Sequence, residues 1–120
     1  MPKRILIADD HFLVRGLMKS VFAECTWAEV CGEAADGCDA VEKARLLRPD
    51  VVVLDLCMPG MNGFAVADAI HEASPKTPVI LFSEYKDAIS PERAKIAGLA
   101  ALCAKSEGLE QLVREVQRVT

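Results

Sequence analysis

Short runs of β-branched and aliphatic residues alternate along this chain with longer stretches in which apolar residues recur every three or four positions. The runs Arg4–Ala8, Ala28–Glu33, Val51–Leu54, Val79–Phe82 and Ala100–Ala104 each predict a strand. The central ones are apolar almost throughout, the pattern of strands covered on both faces of a parallel sheet. Between them, helical spacing predicts inner stripes made of Leu13, Leu17, Met18, Val21 and Phe22; of Ala40, Val41, Ala44 and Leu47; of Phe64, Ala67 and Ile70; and of Leu109, Leu112, Val113 and Val116. Asp36 and Asn62 stand where N-caps belong, and Gly98 where a helix would end. Pro91 interrupts the 86–97 segment, so the fourth helix is expected to start late, with Ser90 as N-cap and Pro91 at its first position after an irregular Glu84–Ile89 stretch. Five strands and five helices in strict alternation predict an α/β protein: a doubly wound, five-stranded parallel sheet in a three-layer sandwich.

The chain is 120 residues long, enough for one domain, residues 1–120, and no second core. With 52% hydrophobic and 27% charged residues, its composition is that of an ordinary globular protein. The net charge of −4 argues against a phosphate-backbone binder, so no direct nucleic-acid contact is expected. Cys25, Cys31, Cys38, Cys57 and Cys103 form no paired motif and read as buried thiols in a reducing compartment. Neither a leader pattern nor a run long enough to span a bilayer is evident, and the expected location is the cytoplasm, without membrane contact.

In such sandwiches ligands sit beyond the carboxyl ends of the strands. Asp9 and Asp10 follow the first strand, Asp55 the third, Ser83 the fourth and Lys105 the fifth, so one rim can gather all of them. Carboxylates crowded on a partly buried rim repel one another unless a cation intervenes. Oxygen ligands suit Mg²⁺, and zinc is disfavoured for want of His or Cys at ligand spacing. The plainer alternatives are that Asp9 and Asp10 cap the first helix and that Lys105 is a solvated surface lysine. His11 reads as a first-turn helix residue rather than a ligand, His71 as surface, and Trp27 as packing at the start of the second strand. Gly60 and Gly63 fit a tight turn in which glycine supplies φ values that other residues resist. Gly16 inside the first helix costs about 1 kcal/mol relative to Ala.

The segment Asp55-Leu56-Cys57-Met58-Pro59-Gly60-Met61-Asn62-Gly63 closely resembles the phosphoacceptor loop of bacterial response-regulator receiver domains. The paired acids of Ile7-Ala8-Asp9-Asp10-His11, Ser83 and Lys105 fall where that family has its other site residues. The Ala8-Asp9-Asp10-His11 opening, and the absence of proline after Lys105, look most like receivers attached to helix-turn-helix transcription regulators. The resemblance covers the whole chain and implies a flavodoxin-like (βα)₅ fold with strand order 2-1-3-4-5. It further implies that Asp55 accepts a phosphoryl group from a sensor histidine kinase or phosphotransfer protein. Mg²⁺ would be held by Asp10, Asp55 and the backbone carbonyl of Cys57, with Asp9 acting mainly through water. Lys105 would neutralise phosphoryl charge, and the Ser83 hydroxyl would move to bind a phosphoryl oxygen and so couple chemistry to shape. The domain is then a signalling phosphoacceptor rather than an enzyme acting on a separate substrate. Its output is expected to be transcription regulation through a DNA-binding domain outside this chain, and a homodimer is possible.

Two positions depart from the family pattern. Leu102 stands three residues before Lys105, where most receivers carry the Tyr or Phe that swings inward, and Glu84 follows Ser83 where a small residue is usual. Switching on the face of the fourth helix and fifth strand is therefore expected to be weakened or rerouted. The competing reading is a pseudo-receiver, an interaction or dimerisation module independent of phosphate. An aspartyl-phosphate hydrolase is disfavoured because Cys57 stands where its acid/base Asp would be. A flavodoxin-like nucleotide binder is disfavoured because no Gly-rich loop follows the first strand.

Overall fold

The computed structural model describes residues 1–58, 61–84 and 89–120, with the backbone alone for Cys57 and Met61. The chain runs β1 (Lys3–Ala8), α1 (Phe12–Ala23), β2 (Ala28–Ala34), α2 (Gly37–Leu47), β3 (Val51–Leu54), β4 (Cys57–Met58), β5 (Met61–Asn62), α3 (Gly63–Ala73), β6 (Val79–Ser83), α4 (Pro91–Ile96), β7 (Ala101–Ala104) and α5 (Leu109–Val119). A 3₁₀ turn, Lys105–Glu107, joins β7 to α5. Five strands pair in the order β2-β1-β3-β6-β7, every pair parallel, which is the 2-1-3-4-5 order of a flavodoxin-like sheet. The predicted strands agree with these to within a residue at each end. A two-residue antiparallel hairpin, β4 with β5, was not legible in the alternation pattern because neither strand is long enough to show a period.

Pleating sorts the strand residues onto two faces. Leu6, Ala8, Val52, Leu54, Val79 and Leu81 pack with Ala40 and Ala44 of α2 and Val66, Ala67 and Ile70 of α3. Ile5, Ile7, Val51, Val53, Ile80 and Phe82 pack with Met18 and Phe22 of α1 and Leu112 and Val116 of α5. Every residue of β3 and β6 is buried, as continuous apolar runs require when helices cover both faces. Each fully buried Leu, Ile or Val here contributes about 1.5–3 kcal/mol of transfer free energy.

The caps form as expected. Asp36 accepts from the N–H of Asp39, Asn62 from Ala65, and Ser90 from Arg93 with Pro91 at the first helical position. Gly98 follows α4 with φ +70°, where glycine alone is unstrained. Of the irregular stretch before α4, residues 85–88 lie outside the described residues, as do Pro59 and Gly60 of the predicted turn.

Three expectations need correction. Leu13 and Leu17 are not inner residues of α1: they are 76% and 58% exposed, and Val14 packs inward instead. Gly63 is required for closeness, not for φ. Its N–H donates to the Leu56 carbonyl at 2.5 Å, and a Cβ there would lie 2.6 Å from the Leu56 Cα. The cysteines are not uniformly buried: Cys103 is, Cys25 and Cys31 are half-buried, and Cys38 is exposed. At Gly16, by contrast, a Cβ would meet nothing within 4 Å. Gly16→Ala is accordingly expected to stabilise the protein by about 1 kcal/mol. A thermal melt should show the midpoint rising by about 4 °C.

Candidate functional site

Parallel strands all end on the same side, so Ala8, Leu54, Ser83 and Ala104 finish along one rim and the residues after them project beyond it. The strand order reverses between β1 and β3, the two strands that Asp9 and Asp55 follow. Both acids are pinned through their backbones. The Asp9 N–H donates to the Ala34 carbonyl at 3.0 Å, and the Asp55 N–H to the Ala8 carbonyl at 2.9 Å.

Asp9 is 1% exposed and Asp55 5%. Lys105, from the 3₁₀ turn after β7, brings its Nζ to 2.8 Å from Asp9 Oδ2 and 3.6 Å from Asp55 Oδ1. Asp9 Oδ2 is buried and receives no hydrogen bond of good angle, so charge attraction to the ammonium is what compensates it. Burial is the largest single influence on Lys105 and works against its charge. The hydrogen-bonding contact with Asp9 and the charges of Asp55, Asp9 and Glu84 together outweigh burial and raise its pKa above the ordinary lysine value. Lys105 is therefore a half-buried, firmly charged counter-ion, not a solvated surface lysine.

Asp10 lies further out, with its side chain 32% exposed. Neither Asp9 nor Asp10 caps α1: the N-cap position is His11, which makes no side-chain capping bond. Instead the His11 N–H donates to Asp9 Oδ1 at 2.8 Å, and its ring Nδ1 sits 3.1 Å from Asp9 Oδ1 and 3.2 Å from Asp10 Oδ1. One ligand atom from each of Asp9, Asp10, His11 and Asp55 falls within 4.8 Å of the others. His11, expected in the first helical turn, stands instead at the N-cap with its ring beside both acids. The signal was in plain view, since His11 adjoins the pair in sequence, but periodicity gave no indication that its ring turns back over them.

Arg15 was also missed. One turn into α1, its guanidinium donates to the Asp9 carbonyl at 2.7 Å and to Glu33 Oε1 at 2.9 Å, tying the acidic rim to the end of β2. Lys19 joins the same carboxylate at 2.7 Å. The hydrogen bonds from Lys19 and Arg15 hold the Glu33 carboxyl below its usual range.

Ser83 is fully buried at the end of β6, in register with Ala104, the residue before Lys105. Leu102, in register with Leu81, packs into the cluster shared with α2 and α3. Glu84 is exposed beside Ser83. Cys57 opens β4, two residues beyond Asp55. A pocket of three carboxylates, two of them buried and faced by the Lys105 ammonium, suits a divalent cation. Among the described residues no helix is long and apolar enough to cross a membrane.

Residues 5–117 match the sequence model of the response regulator receiver domain. The chain is 33% identical to the response regulator GacA of Pseudomonas aeruginosa over 116 residues, covering 97% of this chain and 54% of that protein. It is 39% identical over 124 residues to a protein-glutamate methylesterase/protein-glutamine glutaminase of Alkalilimnicola ehrlichii, covering 98% of this chain and 32% of that one. The chain thus spans about half the length of the first relative and about a third of the second. Among solved structures, a LuxR-family two-component response regulator from Aurantimonas sp. SI85-9A1 superposes with a TM-score of 0.92 at 27% identity, covering 99% of this chain and 85% of that one. Strand order, the acidic rim and these matches agree, and the chain belongs to the receiver-domain family of two-component response regulators.

Proposed function

We propose that this receiver accepts a phosphoryl group on Asp55 from the phosphohistidine of a sensor kinase or phosphotransfer protein, in the cytoplasm. The observation that carries the reading is the Lys105 ammonium standing against both Asp9 and Asp55 in a buried rim. A carboxylate needs no base to act as nucleophile. The Asp55 oxygen forms a bond to phosphorus as the phosphorus–nitrogen bond of the donor breaks, and the departing imidazole takes a proton. What remains is to position the group and to cancel charge on its equatorial oxygens. Lys105 supplies one charge. A bound Mg²⁺, held by Asp10, Asp55 and the Cys57 carbonyl with Asp9 acting through water, would supply the rest. The Ser83 hydroxyl donates to a phosphoryl oxygen once the group is in place.

The outer face of α1 suits the donor. Phe12, Leu13 and Leu17 stay exposed around Gly16 on the helix that starts two residues after Asp10, and an amphipathic helix bearing the phosphohistidine could lie against them. Phosphorylation would then alter an output outside this chain, such as a DNA-binding domain, or a homodimer contact.

Incubation with acetyl phosphate and Mg²⁺ tests the reading directly. A mass gain of one phosphoryl group that fails to appear when a chelator is present from the start, and that is traced to Asp55, supports it. An unchanged mass leaves the second reading, an interaction module independent of phosphate, which Leu102 and Glu84 favour. Because Leu102 has no ring to swing, beryllofluoride with Mg²⁺ is expected to shift amide resonances around Asp55 strongly and those of residues 84–105 weakly. Large ordered shifts across that second group would count against a weakened switch.

A further inference from the structure

The acidic rim contains a fourth donor that the proposed Mg²⁺ site does not use. His11 Nδ1 lies 3.1 Å and 3.2 Å from the Oδ1 atoms of Asp9 and Asp10. Neighbouring ligand atoms around an octahedral ion with bonds of about 2.1 Å are separated by about 3.0 Å. The nitrogen is therefore already spaced from Asp10 Oδ1 as a neighbouring donor to one ion would be, with Asp9, which acts through water, on its other side. A single imidazole N–H, in contrast, can point well at only one of the two oxygens. The ring is held there from its own backbone, because the His11 N–H is bonded to the same Asp9 carboxylate and the His11 carbonyl accepts from Arg15 at 3.0 Å in the first turn of α1. Its side chain is 59% exposed, so an ion can enter without prising apart the core.

We infer that His11 is a nitrogen donor to the divalent cation of this site and tilts the site from Mg²⁺ toward first-row transition ions such as Mn²⁺. The inference rests on the reading of the rim as a metal-assisted phosphoacceptor site. Mg²⁺ favours oxygen and keeps its waters, whereas an imidazole gains value along the series from Mn²⁺ onward. A receiver with this donor would be loaded by Mn²⁺ at concentrations at which an all-oxygen rim still holds Mg²⁺.

The test uses the metals alone. Mg²⁺ and Mn²⁺ are titrated calorimetrically into the wild-type chain, His11→Ala, His11→Gln and Asp55→Asn, and the Mn²⁺ forms are examined by pulsed electron paramagnetic resonance. The expected result is a directly bonded nitrogen on Mn²⁺ in the wild type that disappears in both His11 variants. Mn²⁺ binding should weaken about tenfold in those variants while Mg²⁺ binding changes far less. Absence of nitrogen coupling in the wild type, or equal changes for both metals, would overturn the inference while binding lost in Asp55→Asn still upheld the site. Failure of either metal to bind the wild type at millimolar concentrations would overturn both together.

Discussion

Asp55→Asn should take up no phosphoryl group from acetyl phosphate, and without metal it should be more stable than the wild type. The first effect follows from the nucleophile, since an amide oxygen is neutral and no other carboxylate on the rim stands where Asp55 does. The second follows from charge. Asp9 and Asp55 are both buried and both face the Lys105 ammonium, with the nearer contact, 2.8 Å against 3.6 Å, going to Asp9. Neutralising Asp55 leaves a matched Lys105–Asp9 pair and removes a repulsion between buried acids, a gain of about 1 kcal/mol. Millimolar Mg²⁺ should stabilise the wild type by mass action and the variant much less, so that the gap closes or reverses. Urea melts with and without Mg²⁺ measure this. A variant that is less stable in the absence of metal would show that the carboxylates are not in conflict.

Lys105→Met is expected to act in the opposite direction. Its side chain is only 12% exposed, and removing the ammonium leaves Asp9, itself 1% exposed, without its compensating charge. Breaking one partner from a buried pair costs about 3–5 kcal/mol, and His11 and the open side of Asp10 place this case at the lower end of that range. Mg²⁺ should restore part of the loss by replacing the missing charge. Phosphoryl uptake should continue at Asp55 but about a hundredfold more slowly, the usual cost of losing one charge-stabilising donor. The fluorescence of Trp27 during denaturation reports the first effect and acetyl phosphate kinetics the second. An uptake rate within twofold of wild type would remove Lys105 from the chemistry, whatever happened to stability.

The wheel of α1 shows where the sequence stopped being informative. Leu13, Val14, Leu17, Met18, Val21 and Phe22 span half of its circumference, so hydrophobicity alone could not say which arc meets the sheet. Packing buries Met18 and Phe22 and leaves Leu13 and Leu17 outside. The third and fourth helices were more legible, because Asn62 and Ser90 carry local hydrogen bonds that depend on three or four residues only. Gly63 lay between these cases. Its need for glycine was visible, yet the cause is the Leu56 backbone pressing on it, a contact formed only when the loop after Asp55 folds back onto α3.

What the sequence determined by itself was the alternation of elements and the positions of Asp9, Asp10, Asp55, Ser83 and Lys105 at strand ends. Both follow from periodicity and from the common direction of parallel strands. Tertiary structure decided which of these groups share charge and which merely neighbour one another. Lys105 reaches across to Asp9 and Asp55, His11 turns back over Asp9 and Asp10, and Arg15 ties Asp9 to Glu33. Electrostatic interactions depend on separations of a few ångströms and on burial, and neither is a property of any window of sequence.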